Sequence, residues 1–72
     1  MITIILDYAV VSPITVEQYV LNSTYMVNCR CRDIDEDYFE VTLFQWDDDD
    51  EDSEIDIAIM AEKIIEIWGI EK

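Results

Sequence analysis

Tyr25-Met-Val-Asn-Cys-Arg-Cys-Arg-Asp-Ile-Asp-Glu-Asp-Tyr-Phe-Glu-Val-Thr-Leu-Phe-Gln-Trp46 decides the fold. In its first part Tyr25, Val27, Cys29 and Cys31 fall on one side, and Met26, Asn28, Arg30 and Arg32 on the other. That two-residue period is the pattern of a half-buried strand. Tyr38 to Trp46 alternates in the same way. Phe39, Val41, Leu43 and Gln45 oppose Tyr38, Glu40, Thr42, Phe44 and Trp46. The link from Asp33 to Asp37 is short and acidic, which predicts an antiparallel hairpin. Arg30 and Arg32 then lie near the turn acids and Glu40, where cross-strand charge pairs contribute little each.

Upstream, Met1 to Leu6 reads Met-Ile-Thr-Ile-Ile-Leu, a β-branched run bounded by Asp7. Being apolar on both faces, it is expected as a central or well-covered strand. Ser12-Pro13 has the form of an N-cap followed by a first helical position, and Thr15-Val-Glu-Gln18 fits a capping box one turn later. A short helix ending near Asn22 would place Val16, Tyr19 and Val20 on one face. A strand also fits residues 14–20, since Ile14, Val16, Gln18 and Val20 alternate; Ser-Pro favours the helix.

Downstream comes Asp47-Asp-Asp-Asp-Glu-Asp-Ser-Glu-Ile-Asp56, eight acids in ten residues. Such a run is usually solvated or disordered, but here apolar sequence flanks it on both sides. Residues 55–68 then carry Ile55, Ala58, Ile59, Ala61, Ile64, Ile65, Ile67 and Trp68, a broad stripe with helical period. Asp52 or Ser53 is the expected cap, and Gly69 the expected stop. The acids before Ile55 meet the positive end of this helix, which accounts for two or three of them and not for the whole run. Residues 1–72 therefore read as one α+β domain, a small antiparallel sheet with a C-terminal amphipathic helix packed on one face.

Eighteen acidic and four basic residues give a net charge of −14 on 72 residues, of which 51% are apolar. The apolar fraction exceeds that of a disordered acidic chain, so folding is expected. A core this small leaves little stability to spare. Two carboxylates about 6 Å apart in water repel by roughly 0.7 kcal/mol, and many such pairs oppose compaction. Solubility is one sufficient reason for the charge; a binding function is another.

Several classes of chemistry lack their residues. The chain has no histidine and one glycine, hence no phosphate-cradling loop and no group of ordinary pKa that titrates near neutrality. No catalytic residue is assigned, and an enzyme is not expected. Asp33-Ile-Asp-Glu-Asp37 begins like a calcium loop, but Tyr38 stands where glycine is needed and Phe44 where the bidentate glutamate belongs. No metal site and no cofactor are assigned. Cys29 and Cys31 read as small buried thiols in a reducing compartment. The N-terminal segment lacks a basic region before its apolar residues, and no apolar run approaches a membrane span. A cytoplasmic location follows as the expectation, in the host cell if phage encoded, with no membrane partner.

Direct nucleic-acid binding requires a basic face, and this chain has the reverse. Alternate side chains on an extended segment lie about 6.6 Å apart, and i,i+4 neighbours on a helix about 6 Å. Both approach the spacing of phosphates along one strand, at about 3.4 Å of rise per nucleotide plus winding. A rigid carboxylate array of this kind can occupy the groove of a nucleic-acid-binding protein. The residues assigned to partner binding are Asp47, Asp48, Asp49, Asp50, Glu51, Asp52, Glu54 and Asp56, with Asp33, Asp35, Glu36 and Asp37 as a second cluster. Trp46 joins them as an aromatic anchor; Tyr38 and Phe44 are further candidates near the acids, with core or sheet-face packing favoured for Phe44.

In size, charge and lack of catalytic groups the chain resembles the small DNA-mimic inhibitors of phages and mobile elements, the anti-CRISPR and anti-restriction proteins. No motif assigns it to one family. That resemblance implies a stoichiometric blocker of a basic nucleic-acid-binding complex, such as a Cas effector or a restriction enzyme. An immunity protein or antitoxin capping a basic toxin or nuclease shares the physics and stands as the alternative. A homodimer, if one forms, is expected to use an apolar helix face such as Ile57, Ile64 and Trp68, and like charge opposes it unless the acids point away.

Overall fold

The computed structural model describes residues 1–45 and 51–69, with the backbone alone for 51–53. The order is β1 (Ile2–Asp7), α1 (Pro13–Leu21), β2 (Asn28–Asp33), β3 (Tyr38–Phe44) and α2 (Glu51–Trp68). The three strands form one sheet in the order β1-β3-β2, with β3 antiparallel to both neighbours. β1 and β2 thus run the same way with β3 inserted between them, and α1 makes the crossover.

The expected hairpin forms, with Asp33 opposite Phe39 and Cys29 opposite Leu43. β2 starts at Asn28, later than the alternation from Tyr25 suggested. Central β3 carries the core: Phe39, Val41 and Leu43 are fully buried. Ile4 and Leu6 of β1 lie beside them on the same face, opposite Val41 and Phe39. Both helices cover this face, α1 through Val16 and Val20, and α2 through Ile57, Met60, Ala61 and Ile64. Tyr19 and Trp68 join the two helices edge to face, with ring centroids 4.7 Å apart.

β1 is an edge strand, so of the two expectations, central or well covered, the central position does not hold, while its inner face is covered by α2. Its apolar run reflects one buried face, Ile4 and Leu6, plus a half-buried Ile5 on the opposite face. The two-sided pairing goes instead to β3, whose sequence alternates strictly.

The helical alternative holds for residues 13–21. Ser12 has extended backbone (φ −108°, ψ 157°), its Oγ accepts from the Thr15 N–H at 3.2 Å, and Pro13 opens the helix. Local capping chemistry prevails there over the alternation that also fitted a strand.

The stripe of α2 differs from the expected one. Ile57, Met60, Ala61, Ile64 and Trp68 face the sheet, whereas Ile55 and Ile67 are 59% and 51% exposed. Isoleucine occurs all around this helix, so composition hid the phase. Ile57 (2% exposed) and Ile64 (0%) belong to the core, and Trp68 packs against Tyr19, so the expected dimer face is already covered. Asp52 and Ser53 lie inside α2 rather than capping it.

At the other terminus the Gly69 N–H donates to the Ile65 carbonyl at 2.8 Å. Its φ is not positive, so the left-handed stop expected from the sequence does not occur. A Cβ there would lie 2.6 Å from the Ile65 Cα, and it is this close approach that requires glycine.

The phase of α2 is open to direct measurement. Ile57→Ala should lower the urea-unfolding free energy by about 2–4 kcal/mol, whereas Ile55→Ala should change it by less than about 0.5 kcal/mol. Equal losses would contradict the phase.

Candidate functional site: two acidic surfaces and a neutral sheet face

The hairpin turn gathers more carboxylates than its own sequence supplies. Asp33, Asp35, Glu36 and Asp37 are all exposed. Asp7, at the end of β1, pairs with Tyr38 and joins them. Its contribution could not be seen without knowing that β1 neighbours β3.

Several of these groups are held in place. Asp35 Oδ1 accepts from the N–H groups of Asp37 (2.8 Å) and Tyr38 (3.1 Å), which shapes the turn. Asp7 Oδ1 accepts from the Ala9 N–H at 2.8 Å. The Tyr8 hydroxyl donates to Asp33 Oδ1, while the Tyr8 ring packs on Phe39 with centroids 4.8 Å apart. Tyr8 thus spans β3 and ties the end of β1 to the end of β2. These bonds prearrange the oxygens of the turn, so little further ordering is needed for any contact they make.

A second surface runs along α2. Glu54, Ala58, Glu62 and Glu66 follow one another at i+4, and all four are exposed. This row lies away from the buried Ile57, Met60, Ala61 and Ile64. Glu62 and Glu66 were not among the sequence-assigned residues; the i+4 spacing was visible, but only the correct phase of the stripe makes it an outer face. Asp56 is half-buried, toward the flank of the helix. Side chains in such a row stand about 6 Å apart. Glu66 occupies the last turn, where the helix dipole is negative and which carries no basic residue of its own, Lys63 lying three residues earlier. That placement opposes helix stability.

The sheet face turned away from both helices is different in charge. Arg32 pairs with Glu40 through two nitrogens, at 3.2 and 3.3 Å. The Arg30 guanidinium lies 5.6 Å from the centre of the Phe44 ring. Tyr38 and Phe44 are half-buried on this face. Two of the four basic residues are therefore placed away from the turn tip and the outer row of α2, while Lys63 is exposed on α2 next to Glu62. Among the described residues, Arg32–Glu40 is the ion pair that forms.

The sequence-assigned residues separate into distinct groups. Asp33, Asp35, Glu36 and Asp37 come together at one end of β3. The chain leaves β3 at the other end, after Phe44, and β3 spans roughly 20 Å at about 3.3 Å per residue. Trp46, Asp47, Asp48, Asp49 and Asp50 lie outside the described residues. Glu51 and Asp52 open α2, and Glu54 is exposed in its first turns.

Cys29 and Cys31 sit half-buried on the core side of β2 as free thiols. Interaction with the neighbouring Cys31 thiol holds Cys29 below its ordinary pKa, and interaction with Cys29, with burial, pushes Cys31 up, while the Cys31 thiol donates to the Pro13 carbonyl at 3.9 Å. Among the described residues no three metal-ligating side chains converge, and no helix is long and apolar enough to cross a membrane. No protein-family model matches the chain, and neither a curated protein nor a solved structure matches it.

If Glu66 is placed against stability, reversing its charge should stabilise the helix. Glu66→Lys should raise the unfolding free energy by about 0.3–1 kcal/mol at low salt, with the gain shrinking as salt is added. Urea titrations at two ionic strengths measure it; a destabilised variant would contradict the argument.

Proposed function

We propose that the protein is a non-catalytic inhibitor that presents carboxylates in place of nucleic-acid phosphates and blocks a basic nucleic-acid-binding protein. Charge segregation is the observation that supports this most. Carboxylates from two strands and a turn gather at one end of β3, and a further row follows the outer face of α2. Both arginines lie instead on the sheet face, against Glu40 and Phe44. A surface built for solubility alone intersperses the two signs, which lowers self-repulsion at no loss of hydration.

The mechanism is competitive and electrostatic. A groove lined with lysine and arginine attracts this surface over a distance of about 10 Å at moderate salt, which speeds encounter. Fixed oxygens at the turn then replace phosphate oxygens as hydrogen-bond acceptors for guanidinium groups. No bond is made or broken, so inhibition is stoichiometric. Anti-CRISPR and anti-restriction proteins are the kind of inhibitor this describes, acting inside the host cell on a Cas effector, a restriction enzyme or a comparable complex.

Charge reversal distinguishes the two ends. Asp48→Lys with Asp50→Lys changes the acidic run, and Glu36→Lys with Asp37→Lys changes the turn while leaving the Asp35 turn acceptor in place. Each double variant should weaken binding to the partner retained from host lysate more than ten-fold, with the circular dichroism spectrum unchanged. Binding should also weaken as salt rises from low to moderate. If both variants bind like wild type, or if salt has no effect, the acidic surfaces are not the interface.

A further inference from the structure

We propose that Cys29 and Cys31 form a binding site for a soft monovalent metal ion, Cu(I), held between their two sulfurs. The two residues stand two apart on β2, so both side chains project from the same sheet face. They are close enough neighbours that each thiol acts on the other's ionisation. The Cys31 sulfur also lies 3.9 Å from the Pro13 carbonyl oxygen of α1, which places it beneath the first turn of that helix. Opposite them across the ladder are the buried Leu43 and Val41.

The site is sheltered and still reachable. Both cysteines are half-buried rather than sealed in the core. Cys29 lines a cavity of about 440 Å³ between the end of α1 and the segment before β2, together with Glu17, Tyr25 and Met26. Glu17 places negative charge beside the opening, and Met26, largely exposed, lines the same cavity. A cation can enter from there without the fold opening.

Ligand number and type select the ion. Zinc in structural sites takes four ligands, and calcium and magnesium take oxygens. Two sulfurs on one strand suit a soft d10 ion content with two thiolates, and thiolate and thioether donors favour Cu(I). Binding exchanges protons for the metal: Cu⁺ and two thiols give a bis-thiolate copper anion and two protons, which pass to the solvent. No electron is transferred, and the copper enters and remains as Cu(I).

The test uses the reduced full chain under anaerobic conditions, with Cu(I) supplied as its acetonitrile complex and a chromogenic Cu(I) chelator as competitor. One copper per chain is expected by native mass spectrometry. Cys29→Ser and Cys31→Ser should each weaken retention against the chelator at least ten-fold. In the wild-type chain, one equivalent of Cu(I) should protect both thiols from alkylation together, a readout that does not depend on the variants folding. Failure to retain copper, two coppers bound one per thiol, single variants that bind like wild type, or protection of one thiol alone would each overturn the site.

Discussion

A core one side chain deep, closed on one side only, is the constraint on which the rest of this domain depends. Phe39, Val41 and Leu43 supply its centre, and Ile4 and Leu6 flank them under two helices. That layer must hold together a chain carrying −14. Charge cannot enter it, because an unpaired buried carboxylate costs far more than the core can offset. Among the described residues the acids lie instead at the turn end of the sheet, on the uncovered sheet face, and on the exposed or flanking sides of α1 and α2. Repulsion in such a domain acts against folding wherever carboxylates gather, and salt relieves it.

The distribution among those surfaces is what turns a charge count into a functional proposal. Arg32 neutralises Glu40 on the sheet face, and Arg30 rests on Phe44. At the turn, by contrast, carboxylates accept from backbone N–H groups and from the Tyr8 hydroxyl. Those bonds fix oxygens in position and leave the charge in place. Glu66 extends the acidic row of α2 into a turn where the dipole disfavours it. Local stability is thus forgone at the C-terminal end of that row.

Much of the architecture was legible in the sequence because its elements have distinct periods. The alternation through Phe39, Val41 and Leu43 set the hairpin and the inward face, and Ser12-Pro13 set the start of α1. The phase of α2 was not legible, because isoleucines at 55, 57, 59, 64, 65 and 67 fit several stripes; packing against β1 and β3 selects one. The place of β1 was not legible either, since pairing order is a long-range property that local composition does not record. For the site, the turn acids were visible as a cluster, while Asp7 required the β1–β3 pairing and Glu62 and Glu66 required the helix phase. The run from Asp47 to Asp50 was the plainest feature of the sequence and lies outside the described residues.

The most direct measurement is capture of host proteins on the immobilised chain after nuclease treatment, followed by elution with DNA or RNA at moderate salt. The account predicts that one basic nucleic-acid-binding complex is retained and that nucleic acid releases it, because both ligands occupy the same groove. Retention of a small basic toxin that nucleic acid does not release, or of no basic protein at either low or moderate salt, would contradict the mimicry of phosphate charge.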